Sequence, residues 1–187
     1  MSQQRTTSFA RGFNLIEAAI VLGIVGLVIG GIWVAASAVQ SNVRKNDASR
    51  ALIQIVQNVR AMYTGQPAPA SATGINSLAI EAKAIPADFV KGTAILNPWN
   101  GQVNIALVQS GSEVDSIEVQ YASMPRDVCI ELTSRNTSLS ADLGLTRLTV
   151  VNGSSTVTVT TFPFTPAQAS TTCLENNIVM WRFGLRG

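Results

Sequence analysis

Three groups of residues in this chain have the types and spacing to do chemistry. The first is Glu17, a lone acid immediately before Ala18 to Ala36, 19 residues made only of Ala, Val, Leu, Ile, Gly and Trp. A carboxylate at the edge of an apolar segment is costly, so it is protonated, hydrated at an interface, or paired. The second is the Gly12-Phe13 junction just ahead of it, preceded by Arg5 and Arg11. A cut after Gly12 would expose the α-amino group of Phe13, a cation four residues from Glu17. A neighbouring copy shifted along its axis could bring that amine to Glu17. Pairing in a low-dielectric layer would then fix register, because a misplaced subunit leaves a charge unpaired. The simpler reading is that Glu17 marks a membrane boundary. The third group is Cys129 and Cys173, the two cysteines of a chain with no histidine. If this part is exported, a disulfide is the expected state. It would close a loop of roughly 45 residues and contribute about 3–4.5 kcal/mol in the chain-entropy model. The alternative is two separate buried thiols.

The elements that must position these groups are legible in outline. The apolar run can cross a hydrocarbon core of about 30 Å as a helix. Charges flank the run on both sides, Arg5 and Arg11 before it and Arg44, Lys45, Asp47 and Arg50 after it, so they alone leave the orientation open. The short basic leader and the cysteine pair far beyond the run favour the N-terminus inside and the C-terminal part outside. One helix is expected from Asn14 to about Thr64. Its first half is apolar on all sides. Its second half carries Val39, Val43, Leu52, Ile55, Val56, Val59, Met62 and Tyr63 at spacings of three and four. Gln40, Arg44, Lys45, Gln54, Gln57, Asn58 and Arg60 occupy the opposite face. Gly65 and Pro67 end it. Gly26 and Gly30 form a G-x-x-x-G, which either lets helices approach closely or is ordinary membrane-helix glycine.

Residues 65–98 read as a connecting region, with a short helix over Asn76 to Ala84 capped by Asn76 or Ser77 and stopped by Pro86. Asn97-Pro98-Trp99-Asn100-Gly101 is a turn signal. Residues 99–187 read as mostly β. Strands are expected over 103–108, 116–122, 145–151, 155–161 and 177–183, with an Asn152-Gly153 hairpin turn and a short helix from Pro125 to about Ser134. Thr165 is placed to cap a turn at Pro166.

Charged residues are 13% of 187, and mean hydropathy is +0.27. The absence of histidine excludes a Ser-His-Asp arrangement and imidazole metal ligands. No phosphate-binding glycine loop is present. Neither a cofactor nor a metal is expected, and the chain reads as no enzyme. Asn136-Thr137-Ser138 and Asn152-Gly153-Ser154 match the glycosylation sequon.

Gly12-Phe13-Asn14-Leu15-Ile16-Glu17 and the apolar run after it closely resemble the class III signal of type IV pilins. That resemblance implies cleavage after Gly12 by a prepilin peptidase, methylation of Phe13 at the new N-terminus, and a role for Glu17 in subunit alignment. It implies an α+β pilin fold: leader 1–12, long helix 13–64 with its assembly half at about 14–39, connecting loop 65–98, and an antiparallel sheet head over 99–187. It also implies a disulfide-bounded variable region between Cys129 and Cys173. The turn at 97–101 and Met124-Pro125-Arg126-Asp127-Val128-Cys129 look more like the type IVb group. The expected function is a subunit inserted in the inner membrane, processed, and polymerised with its own copies by the assembly machinery. The resulting extracellular pilus would serve adhesion, motility or conjugation. Without its leader the chain has 11 basic and 11 acidic residues, which argues against a general grip on nucleic acid. The alternatives are a type II secretion pseudopilin or minor pilin, and a membrane-anchored periplasmic enzyme or binding protein.

Overall fold

The computed structural model describes residues 14–66, 71, 73–110, 113–138, 143–153 and 155–185. It divides into two compact units, Met1–Asn42 and Val43–Gly187. Helix α1 (Leu15–Tyr63) runs through both. The elements after it are strand β1 (Thr73–Gly74), helix α2 (Asn76–Glu81), a 3-10 turn (Ala87–Phe89), and strands β2 (Val90–Lys91), β3 (Ala94–Ile95), β4 (Val103–Ser110) and β5 (Glu113–Met124). Then come helix α3 (Arg126–Ser138), strands β6 (Leu145–Asn152) and β7 (Ser155–Val159), helix α4 (Pro166–Thr172) and strand β8 (Asn177–Gly184).

Six strands form one antiparallel sheet in the order β1-β4-β5-β8-β6-β7. The last strand of the chain therefore sits in the middle. Alternation explains why it is accepted there. Asn177, Val179, Trp181 and Phe183 are buried, while Ile178, Met180 and Arg182 are half-buried on the other face. Trp181 lies opposite Val119 of β5 and Leu148 of β6. Its ring meets that of Tyr121 edge-on, with centroids 5.4 Å apart, a geometry worth about 0.5–1.5 kcal/mol beyond the area buried.

Within the head unit α1 covers this sheet with a narrow stripe of Ala48, Ala51, Leu52, Ile55, Val56 and Val59. The small residues bring helix and sheet close enough for the buried Tyr121 hydroxyl to donate to the Ala48 carbonyl at 3.2 Å. The stripe differs from the one expected. Val39 and Val43 are exposed, whereas Lys45 and Ser49 are buried. Periodicity could not choose between faces here, because partners on α3 decide it. Lys45 Nζ lies 3.0 Å from Asp127 and 2.9 Å from Glu131, one helical turn apart on α3. Ser49 donates to Asn136 Oδ1 at 2.6 Å.

Other boundaries moved for similar reasons. β5 begins three residues earlier than alternation suggests. Val108 pairs with Ser116 and Gln109 with Val114, so Asp115 has no partner in the register. That extra residue resets the period of two. α3 runs past Ser134 because its last turn is held from outside: the Thr137 hydroxyl accepts from the Phe164 backbone at 3.1 Å. α2 begins at Asn76 but is not capped by it. Ile75 is the N-cap, with no side-chain cap bond. Asn76 instead accepts from the Ile105 backbone at 2.7 Å and donates to Asn104, tying α2 to β4. Thr165 does cap α4, in a reciprocal capping box with Gln168.

The Lys45 contact yields a pH-dependent prediction. Its hydrogen bond to Glu131, with help from Asp127 and against the cost of burial, raises its pKa above the ordinary 10.5. A folded pKa above the unfolded one stabilises fully below about 10.5, and the gain is lost as pH rises through the folded value. Lys45→Met is expected to cost about 1–2 kcal/mol near pH 7, since one partner stays mostly exposed. In urea unfolding followed by circular dichroism, the gap between variant and parent should shrink once pH passes the lysine range.

Candidate functional site

Gly12 and Phe13 lie outside the described residues, which begin at Asn14. Asn14 opens α1: its carbonyl accepts from the Ala18 backbone at 3.1 Å, and its side chain accepts from the Ile16 backbone at 3.4 Å. Glu17 sits exposed in the first turn, near the end of the helix where the dipole favours an anion. After it, no ionisable side chain occurs until Arg44. Leu15 is 84% exposed, Leu27 79% and Trp33 74%, and the other large apolar residues described in the first unit are likewise exposed. Soluble monomers rarely leave so long a run of large apolar residues exposed. α1 is long and apolar enough, by length and composition, to cross a membrane.

The second unit, the head, contains the end of α1. Arg60, expected on the outward polar face, is half-buried. Its guanidinium donates to the Gly184 carbonyl at 2.9 and 2.6 Å and to the Leu143 carbonyl at 2.7 Å. This joins the last turn of the helix to the end of the central strand. Sequence reasoning missed Arg60 and Lys45 because neither carries a local signal; their partners lie more than 80 residues away. The 97–101 turn did carry one. Asn97 Oδ1 accepts from the Trp99 and Gly101 backbones at 3.0 and 2.9 Å, and its Nδ2 donates to the Ala122 carbonyl at 2.7 Å. A Cβ on Gly101 would stand 1.8 Å from that same carbonyl oxygen, so only glycine fits.

Cys129 on α3 and Cys173 at the end of α4 are joined, with Cα atoms 5.9 Å apart and both residues fully buried. The bridge encloses α3 from Cys129 on, β6, β7 and α4, and closes just before β8 enters the sheet. Both sequon asparagines are structural. Asn136 is 5% exposed and holds Ser49, and Asn152 is 7% exposed and donates to the Thr172 carbonyl. In the folded head neither presents an amide for modification. Among the described residues no group of three or more acids and cysteines could hold a metal ion.

Residues 42–183 match the family model described as PilS N terminal. The chain belongs to the PilS N-terminal family. The matched span takes in nearly all of the head unit and leaves the apolar half of α1 outside. This PilS-family chain is 22% identical, over 182 residues and 92% of either chain, to the major structural subunit of bundle-forming pilus from Escherichia coli O127:H6 (strain E2348/69 / EPEC). It is 23% identical over 187 residues, again 92% of either chain, to the protein of the same description from Escherichia coli O111:H-. Among solved structures it superimposes on the type IV b pilin from Salmonella typhi with a TM-score of 0.59 at 18% identity, over 76% of this chain and 99% of that one. The PilS-family chain therefore has the type IVb pilin fold: a long N-terminal helix packed, over its second half, on an antiparallel sheet.

The bridge predicts a measurable dependence. Replacing Cys129 and Cys173 together by serine should lower head stability by about 2–5 kcal/mol in urea unfolding. Insertion of the apolar half of α1 into detergent micelles should be unaffected, since that half belongs to the other compact unit.

Proposed function

We propose that this chain is the structural subunit of a pilus of the type IVb kind, and not an enzyme. The observation that carries the reading is α1 itself. Its first half offers an uncharged apolar surface that nothing in its own unit covers, while its second half is sealed into a disulfide-closed head. Burying one Leu, Ile or Val is worth about 1.5–3 kcal/mol. More than ten such residues therefore need either a bilayer or other copies of the same helix. A subunit that exchanges the first cover for the second is held in the inner membrane as a precursor and ends in an extracellular fibre.

The finer steps rest on the residues at the N-terminus. A prepilin peptidase cuts between Gly12 and Phe13, and the new Phe13 N-terminus is methylated. Its α-amine stays cationic and pairs with the Glu17 of an adjacent subunit. No other ionisable side chain follows Glu17 until Arg44, so among the packed helices this charge pair sets the stagger between copies. The pseudopilin reading is weaker, because the matched family and the relatives in hand point to pili.

Two measurements test this. Mass spectrometry of fibre-derived chain should find an N-methylated Phe13 start; a Met1 start would overturn the processing step. Glu17→Ala chain should insert and form its disulfide normally, yet yield at least tenfold less fibre by shearing and electron microscopy. Assembly at parental yield would show that Glu17 only marks the membrane boundary.

A further inference from the structure

The sheet has two edges, and they differ. β1 is two residues long. β7 is five residues long and pairs only with β6 among the described residues. A free edge strand is a template for another chain, and proteins ordinarily blunt it with lysine, proline, a bulge or inward charge. β7 and the two residues after it, Ser155-Thr156-Val157-Thr158-Val159-Thr160-Thr161, contain none of these. The strand pairs with β6 in unbroken register from Asn152↔Ser155 to Leu148↔Val159.

The sequence of this edge is also nearly its own mirror image about Thr158. Val157 is matched by Val159, Thr156 by Thr160, and Ser155 by Thr161. The backbone directions agree with that centre. Asn152 and Ser155 flank a two-residue turn, so they form a hydrogen-bonded pair, and alternate pairs along the hairpin do the same. Thr149↔Thr158 is then a non-bonded pair, which turns the N–H and C=O of Thr158 away from β6. The same parity turns out those of Thr156, and a partner strand that extends the ladder past Val159 would meet Thr160 in the same phase. Val157 and Val159 are half-buried, Val159 against the core, and Thr156, Thr158 and Thr160 are exposed.

We propose that the β7 edge is a self-pairing surface, on which a second copy of this chain docks its own β7 antiparallel about a twofold axis at Thr158. Residue by residue, like meets like across such an axis. A charge at the centre would repel its own image, and this strand has none. The pair would continue the sheet into a second head and cover the exposed side of Val157 with Val159 of the partner. A twofold contact saturates at two copies, whereas fibre growth needs head-to-tail contacts that leave a free end. The β7 contact therefore joins heads of neighbouring fibres rather than lengthening one. Five-residue strands bind weakly alone, and the repeat of heads along two fibres makes the contact multivalent. The inference rests on the proposed pilus reading for its setting, and on the sheet edge alone for its geometry.

Single cysteines test the register on full-length chain, sheared as fibres or solubilised in detergent. Under a mild oxidant Thr158→Cys should cross-link to itself. Thr156→Cys should not, but should cross-link when mixed with Thr160→Cys. The proposal is overturned if Thr158→Cys gives no dimer, or if Thr156→Cys dimerises as readily. In fibres, Thr158→Lys places two ammonium groups at the twofold. It should leave fibre yield unchanged and cut lateral association, read by low-speed sedimentation and electron microscopy, at least tenfold. Unchanged association would overturn the proposal. Absence of fibres from parental chain would instead count against the pilus reading, and the detergent cross-linking would still decide the edge.

Discussion

The head is closed by its last strand. β6 and β7 reach the rest of the sheet only through β8, which lies between β5 and β6. Trp181, at the centre of β8, touches the neighbouring strands on both sides and the Tyr121 ring. Its own neighbours therefore depend on a contact made late in the chain. The disulfide acts on the same closure: it holds α3 to the segment that leads into β8, so the region between the cysteines cannot drift away while the strand is fitted. Arg60 then ties the end of β8 back to the helix where the chain began.

That closure explains how one helix can live in two environments. From Lys45 to Tyr63, α1 belongs to the head. It presents a stripe of small and branched residues to the sheet and polar side chains to water. From Ala18 to Ala36 it has no such stripe, because it is apolar all round. A helix of that kind has no preferred face and is stable only when surrounded. A compact head and an indiscriminately apolar helix half fit the pilus-subunit reading proposed above.

The outline of this arrangement was legible in particular residues. The run Ala18 to Ala36 could be nothing but a helix needing apolar cover. Asn97 and Gly101 announced a turn that the structure builds with three bonds from one side chain. Asn152-Gly153 placed the hairpin. The errors share a cause. Lys45 and Arg60 read as solvated, Asn76 as a cap, and Val39 and Val43 as core. Each was judged from neighbours in sequence, while the deciding partner stood on another element. Asp115 shifted β5 because a bulge changes parity without changing composition.

The sequence by itself determined the long N-terminal helix, the five longer strands and the turns at 97–101 and 152–153, and that the first half of the helix must be covered by something apolar. These follow from local periodicity and from the cost of leaving hydrocarbon in water. Only the tertiary structure decided the strand order, the face of α1 that meets the sheet, the pairing of the two cysteines and the burial of both sequon asparagines. It also decided that β7, an unremarkable run of threonine and valine, is an edge. Those outcomes depend on contacts between residues far apart in the chain, which no periodicity records.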